Sequence, residues 1–416
     1  MMRRWRTRIL LFLAVLGPGF ITANVDNDAG GIVTYSQAGA KFGYTLLWTI
    51  IPITIALIVV QEMCARMGVV TGKGLSDLIR EEFGLRLTFV LMLLLVFVNY
   101  TNVVTEFIGV AGSLHLFHVT KFLSVPICAA LVWILVVKGN YKTTEKVFLL
   151  ASLVYITYIF TGVLSQPDWH NAMLATVKLP APSVWHDSSY IYMVIGLVGT
   201  TIAPWMQFYL QSSIVEKGIR VKDYAASRLD VIVGSFFTDL VAWFIIVACA
   251  ATLYVHGMGA IQVASDAAEA MRPLAGDYAF ILFAFGLFNA SVFAASILPL
   301  STAYTVCEGL GFDSGVDKSF REAPFFYWLY TLLIAGGAFT VLLLPDALLM
   351  KFAVWSQVLN GVLLPVVIIL MLMLINRKDL MGDHRNSRLW NWIAWTTSII
   401  VIGITIFMLW GIFTGQ

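Results

Sequence analysis

Two carboxylates and an amide stand together at Asp26, Asn27 and Asp28, inside an otherwise apolar stretch, and are followed by Ala29-Gly30-Gly31. A second apolar stretch is interrupted by Gly199-Thr200-Thr201-Ile202-Ala203-Pro204-Trp205. Carboxylates, amides, hydroxyls and freed backbone carbonyls are hard oxygen ligands, which suit Mg²⁺, Ca²⁺ or Mn²⁺ better than softer metals. The first segment supplies Asp26, Asn27 and Asp28. The second offers the carbonyls of Thr200 to Ala203 and the hydroxyls of Thr200 and Thr201. Gly30 and Gly31 let backbone approach closely, and the half-helix that starts there has a positive dipole end that would repel a cation unless the aspartates neutralise it.

The elements that carry these residues belong in lipid. Of the 416 residues, 59% are hydrophobic and 12% charged, against about half and a quarter in soluble domains. A spanning helix needs roughly 20 apolar residues. Such runs fall near 9–40, 44–67, 87–114, 120–138 and 144–165, then near 190–215, 227–255, 276–308, 324–344, 347–375 and 390–414. The segment from Ile9 reads as a membrane anchor and not as a cleaved signal. The two interruptions fall in the first and sixth spans, five spans apart. Non-helical backbone at membrane depth is tolerated only where it is buried or lines a cavity, and matched interruptions in two halves point to a transporter's binding site. A carboxylate at mid-membrane costs about 2.5–3.5 kcal/mol on insertion scales, so Asp26 and Asp28 are unlike a packing accident. The expected fold is therefore an all-α integral membrane protein of LeuT type. It forms a single transmembrane domain over 1–416, with a first five-helix repeat (9–165), an inverted second repeat (190–375) and an eleventh helix (390–414). Helices 1 and 6 are expected to unwind at their middles.

With the amino terminus in the cytoplasm, all but five of the 26 Lys and Arg residues fall on the inside, the exceptions being Lys41, Lys121, Lys178, Arg272 and Lys351. This is a strong positive-inside bias. It predicts a multi-pass protein of the cell membrane with an extracellular carboxyl terminus. Cys64, Cys128, Cys249 and Cys307 stand singly in apolar runs, as small core residues do. The six histidines sit in or beside connections, away from any ligand cluster. No catalytic residues, cofactor or nucleic-acid partner are expected. The partners implied are a divalent ion as substrate and the lipid bilayer, and the oligomeric state is left open, with a monomer as one option. An intramembrane enzyme using Asp26 and Asp28 as an acid pair would leave the matched break at Pro204 unexplained, and no His-Glu-x-x-His or Gly-x-Ser-x-Gly is present.

Three further segments carry a resemblance. Gly17-Pro18-Gly19-Phe20, Gln37-Ala38-Gly39-Ala40-Lys41-Phe42-Gly43-Tyr44 and Ala65-Arg66-Met67-Gly68-Val69-Val70-Thr71-Gly72-Lys73 resemble the first two spans of the NRAMP (SLC11) family of proton-coupled Mn²⁺ and Fe²⁺ transporters. Weaker similarity runs through Thr105-Glu106-Phe107-Ile108-Gly109, the sixth span, Glu308-Gly309 and Ser356-Gln357-Val358. The family signature Asp-Pro-Gly-Asn, whose Asp and Asn bind metal, corresponds here to Asp28-Ala29-Gly30-Gly31. Asp28 keeps the Asp role, and Gly31 cannot replace the Asn. The family's Met-Pro-His, whose Met sulfur binds the transition metal, corresponds to Ala203-Pro204-Trp205. Gln357 matches a position near the ion.

These departures carry the functional expectation. A thioether selects softer metals, so Ala203 in its place removes that filter and opens space. Mg²⁺ usually keeps several waters beside one or two carboxylates, and the pattern resembles the NRAMP-related magnesium transporters. In proton-coupled members a His follows the sixth-span Pro and an Asp precedes the third-span Glu by three residues; here those positions are Trp205 and Val103, and only Glu106 remains. The ninth span, where coupled relatives carry Arg, has no basic residue between Pro324 and Leu344. The expectation is import of Mg²⁺, and also Mn²⁺, without protons, through Asp28, Asp26, Asn27, Thr200, Ala203 and Gln357, with Glu106 and Gly31 in secondary positions. A proton-coupled Mn²⁺/Fe²⁺ symporter is the alternative. Glu106 and Asp239 are equally readable as structural hydrogen-bonding acids, and Trp205 and Met206 as packing residues.

Overall fold

The computed structural model describes residues 17–259 and 261–414. The start of the expected first span, 9–16, and the arginines from Arg3 to Arg8 lie outside them. Among the described residues the secondary structure is helical, without a strand. The first span is two helices, α1 (Pro18–Val25) and α2 (Ala29–Phe42), separated at Asp26–Asp28. A short 3₁₀ turn leads into α3 (Ile50–Thr71), then the short α4 (Leu75–Phe83), α5 (Leu85–His115), α6 (Lys121–Val137), α7 (Tyr141–Val154) and α8 (Ile156–Leu164). After α9 (Trp169–Val177), the sixth span is again two helices, α10 (Ser188–Thr201) and α11 (Pro204–Lys217). The remainder comprises α12 (Tyr224–Cys249), α13 (Ala264–Leu310), α14 (Pro324–Leu343), α15 (Asp346–Ile375), α16 (Lys378–Met381) and α17 (Arg388–Thr414).

Eight helical stretches among the described residues are long and apolar enough to cross a membrane, one of them running through the 3₁₀ turn from Ala29 to Thr71. The expected count of eleven is larger because it divides that stretch, admits the shorter apolar helix Lys121–Val137 and includes the last span. Two expected boundaries differ. The eighth span begins at Ala264 instead of near 276, with a non-helical residue at Gly276 inside it, and α4 and α9 form in connections that hydropathy alone leaves unassigned.

Both breaks follow from local chemistry. Asp28 has extended backbone and its carboxylate accepts the Gly31 N–H at 2.7 Å, capping α2; such a cap contributes about 0.5–2 kcal/mol. In the sixth span Pro204 occupies the first turn of α11, where its missing N–H costs nothing. The N–H groups after Thr201 do not return to the end of α10, so the carbonyls there stay unpaired by backbone.

Helix α12 is the wall against which the first break is built, packing on α1, α2, α3 and α8. The approach needs glycine on both sides. A Cβ at Gly234 would lie 2.7 Å from Phe20 Cα, and one at Gly19 would lie 2.8 Å from the Val231 nitrogen. We expect Gly234→Val to separate α1 from α12 and lower stability by about 1–3 kcal/mol, as overpacking does. Gly403→Ala, where a Cβ meets nothing within 4 Å, should leave the thermal unfolding midpoint of detergent-purified protein within error of wild type. A Gly234→Val midpoint equal to that of Gly403→Ala would contradict this packing.

Candidate metal-ion site and its two closures

A cavity of about 430 Å³ reaches the first break from one side of the molecule. Its mouth is set by Lys41 at the end of α2 and Ser189 at the start of α10, both exposed. Its lining includes Gly30, Thr200 and Gln357. Asp28 adjoins this group, because a Cβ placed on Gly30 would meet Asp28 Oδ1 at 3.3 Å and collide with the Gln357 amide. Gly30 is thus the residue that lets α15 bring Gln357 over the start of α2. The Thr200 hydroxyl is buried without a hydrogen-bond partner, an oxygen left available where the cavity ends.

Glu106 comes from α5 and accepts the Ala29 N–H at 3.2 Å. Two acids therefore serve the amino-terminal end of α2, where N–H groups and the helix dipole favour negative charge. The same bond gives Glu106 a structural task as well as a place beside the site. Gly31 has its own constraint: a Cβ there would lie 2.7 Å from the Asp26 carbonyl oxygen.

The other expected site residues are arranged differently. Asn27 donates to both the carbonyl and the hydroxyl of Thr238 on α12, at 3.0 and 2.8 Å, and is fully buried. Thr238 in turn donates to the Ala23 carbonyl at 2.7 Å. Asp26 is 2% exposed and does not line the cavity. Asn27 is therefore held to α12, and Asp26, Asn27 and Asp28 all stand outside the cavity lining, Asp28 adjoining it through Gly30. Ala203 is buried, but its carbonyl accepts the Met206 N–H at 3.3 Å and, with the amide oriented to satisfy both atoms, the Gln207 side chain at 2.7 Å. Its lone pairs are taken, and Ala203 is not among the residues that line the cavity. Thr201 bonds the Leu197 carbonyl at 2.8 Å and the Tyr35 hydroxyl at 3.1 Å, tying the two breaks together. Val103, Trp205 and Met206 are buried core residues.

The opposite side of the break is shut. Asp230 on α12 accepts the N–H groups of Gly17, Gly19 and Phe20 at 3.0, 2.7 and 3.2 Å, capping α1 across the sequence. Beside Gly17, Lys217 pairs with Glu145 at 2.7 Å. Tyr141 donates to the Ser213 carbonyl at 3.2 Å, and Tyr304 donates to Glu216. What remains open there is a void of about 10 Å³, too small for an ion with its waters. Neither Asp230 nor Lys217–Glu145 is legible from local sequence, because their partners lie far along the chain.

Among the described residues no three His, Cys, Asp or Glu side chains converge as a metal-holding group. An ion at this end of the cavity would meet one or two carboxylates together with amide, hydroxyl and carbonyl oxygens. The Nramp family model, natural resistance-associated macrophage protein-like, matches residues 19–411.

The chain belongs to the Nramp family. Members are transporters, so this Nramp protein is a membrane transporter and not an enzyme. It is 28% identical to a divalent metal cation transporter MntH of Nostoc sp. over 95% of this chain and 90% of that one. It is 27% identical to a divalent metal cation transporter MntH of Yersinia enterocolitica over 97% and 96%. A crystal structure of the Eremococcus coleocola manganese transporter, in complex with an aromatic bis-isothiourea substituted compound, superposes with a TM-score of 0.74 and 23% identity, covering 97% of this chain and 86% of that one. The fold is accordingly the LeuT type, two inverted repeats of five helices plus an eleventh, with helices 1 and 6 unwound.

The closed side gives a direct expectation. Asp230→Asn weakens the cap on α1, so a Ser213→Cys probe at the small void should react with a soluble maleimide several-fold faster in the Asp230→Asn background. Equal labelling rates would show that the cap does not hold this side shut.

Proposed function

We propose that this Nramp protein imports Mg²⁺, and also Mn²⁺, down the electrochemical gradient without moving protons, through the cavity that ends at Asp28, Thr200 and Gln357. One observation carries the reading: the position at which a thioether would select a transition metal is Ala203, three residues past Thr200, which with Gln357 lines a cavity of about 430 Å³. Mg²⁺ loses water reluctantly and is held through one or two carboxylates and several waters. A roomy site with Asp28 as its carboxylate, Thr200 as a hydroxyl and Gln357 as an amide suits that habit, and Glu106 behind Ala29 adds charge. Asp28 binds the ion, Gln357 and Thr200 orient its waters, and Ala203 provides room.

Charge distribution supports an outward-facing cavity. Lys41 and Ser189 lie on the side assigned to the exterior by the Lys and Arg bias, and the Asp230 cap then closes the cytoplasmic side. The amino terminus is cytoplasmic and the carboxyl terminus extracellular in this reading. The lack of coupling rests on Trp205 and Val103 standing at titratable positions and on α14 carrying no basic residue. A proton path needs groups that change charge near working pH. The membrane potential alone supplies about 2.3 kcal/mol per charge per 100 mV, so roughly 4.6 for Mg²⁺.

Vesicles containing the purified protein, a Mg²⁺ dye and a pH dye test the transport mode. Mg²⁺ entry should proceed without acidification of the lumen, and acidification driven by the metal gradient would favour the proton-coupled Mn²⁺/Fe²⁺ symporter. Asp28→Ala should abolish entry in protein that elutes as wild type; unchanged entry would remove Asp28 from the site. Ala203→Met should cut Mg²⁺ entry at least tenfold while sparing Mn²⁺. Undiminished Mg²⁺ entry in that variant would contradict the account of selectivity.

A further inference from the structure

Helix α9 lies in the connection after the fifth span and carries three distinct faces. With 3.6 residues per turn, positions four apart drift by only about 40°, so Trp169, Met173 and Val177 form one stripe with Leu174 beside it. All four are exposed, Met173 by 62% and Val177 by 74%. His170 shares that arc, with an apolar ring body and a polar tip. One neighbouring face is packed against protein. Ala172 is buried, the Thr176 hydroxyl accepts the Trp243 indole N–H from α12 at 2.8 Å, and the Trp169 ring stacks on Trp243 with centroids 6.4 Å apart. The face on the other side of the stripe is polar and exposed, made by Asn171 and Lys178, and the Asp168 cap accepts the Asn171 N–H at 3.0 Å. An exposed apolar stripe flanked by a polar face is the arrangement of a helix lying in the plane of a membrane interface.

The place of α9 in the chain selects what covers the stripe. The fifth span turns Phe160, Val163 and Leu164 outward from a helical stretch long and apolar enough to cross a bilayer. Residues 165–168 alone separate Leu164 from Trp169. That connection is folded back, because the Ser165 and Gln166 N–H groups return to the Thr161 and Val163 carbonyls. The stripe of α9 therefore begins where the outward apolar face of the span ends. Trp169 and the exposed Trp185 supply rings of the kind enriched at the membrane–water boundary. Lys178 can lay its stem on apolar surface and keep its ammonium among the headgroups.

We infer that the Trp169–Met173–Val177 stripe of α9 is seated in the interfacial layer of the bilayer, with the phospholipid headgroup and upper acyl-chain region as its partner. The seat adjoins the working parts of the molecule. Helix α9 packs on the 3₁₀ turn Gly43–Thr49, which continues the chain from α2 and from Lys41 at the cavity mouth. Through Trp169 and Thr176 it is also fastened to α12, the wall of the first break. Helix α9 thus links the bilayer surface to α2 and α12.

Fluorescence quenching in lipid nanodiscs tests this on the full chain. Cys64, Cys128, Cys249 and Cys307 are buried, so a thiol-reactive bimane marks an introduced surface cysteine, with unsubstituted protein as background. The label on Met173→Cys should be quenched several-fold more in phosphatidylcholine brominated on the upper acyl chain than in the unbrominated lipid, and little by aqueous iodide. Phe160→Cys, on the outward face of the span, shows the response of a lipid-facing label. Asn171→Cys should be quenched chiefly by iodide. Val177→Cys provides the same reading as Met173→Cys where the latter does not elute as wild type. A Met173 label quenched by iodide as strongly as the Asn171 label, and untouched by brominated lipid, overturns the seating. Protection of the Met173 label from both quenchers also overturns it, and a Met173→Cys disulfide between two chains would then identify a second copy as the cover.

Discussion

A helix that stops inside a bilayer leaves backbone groups that no water can satisfy, and this constraint shapes the molecule. The chain meets it twice. At the first break the orphaned N–H groups of α2 are taken by Asp28 and Glu106, so the acids that favour a cation are also the acids that make the break stable. At the second break the carbonyls at the end of α10 remain without backbone partners, and Pro204 restarts the helix. Tyr35 and Thr201 join the two breaks directly. Site and fold share residues here, because the acids beside the cavity also cap α2.

Helix α12 converts this local arrangement into a device with an open and a shut side. Through Asp230 it caps the amino-terminal end of α1, and through Thr238 it holds the carboxyl-terminal end beside Asn27. Half-helix α1 is thus fastened at both ends to one partner, by hydrogen bonds whose rearrangement would free it as a unit. The glycines at Gly19 and Gly234 set the distance at which this is possible. The two sides rest on different residues: Gly30 shapes the space in the cavity, whereas Asp230 and the Lys217–Glu145 pair close the other side.

Much of this is legible in the sequence, for reasons that are themselves physical. Two aspartates in an apolar span and a proline in its counterpart are costly in lipid, so the interruptions read from the sequence at 24–31 and 199–205 bracket the breaks at 26–28 and 202–203. Gln357 and Glu106 come with the family resemblance, and the structure brings them to Gly30 and Ala29. What sequence leaves undetermined is direction. Asp26, Asn27 and Asp28 are adjacent, and only the Thr238 contacts turn Asn27 toward α12 while Asp28 caps α2. The Ala203 carbonyl looks free in a broken helix until Gln207, one turn on, claims it. The Asp230 cap joins residues more than two hundred positions apart, beyond the reach of any local pattern.

The proposed transport depends on a divalent ion being received on the cavity side of the first break. Anomalous scattering from Mn²⁺ in crystals of the full chain measures this most directly. A peak is expected in the cavity against the Asp28 carboxylate, between Thr200 and Gln357. A Mn²⁺-saturated crystal with no peak at that position, and with continuous helix through Asp26–Asp28, would contradict it.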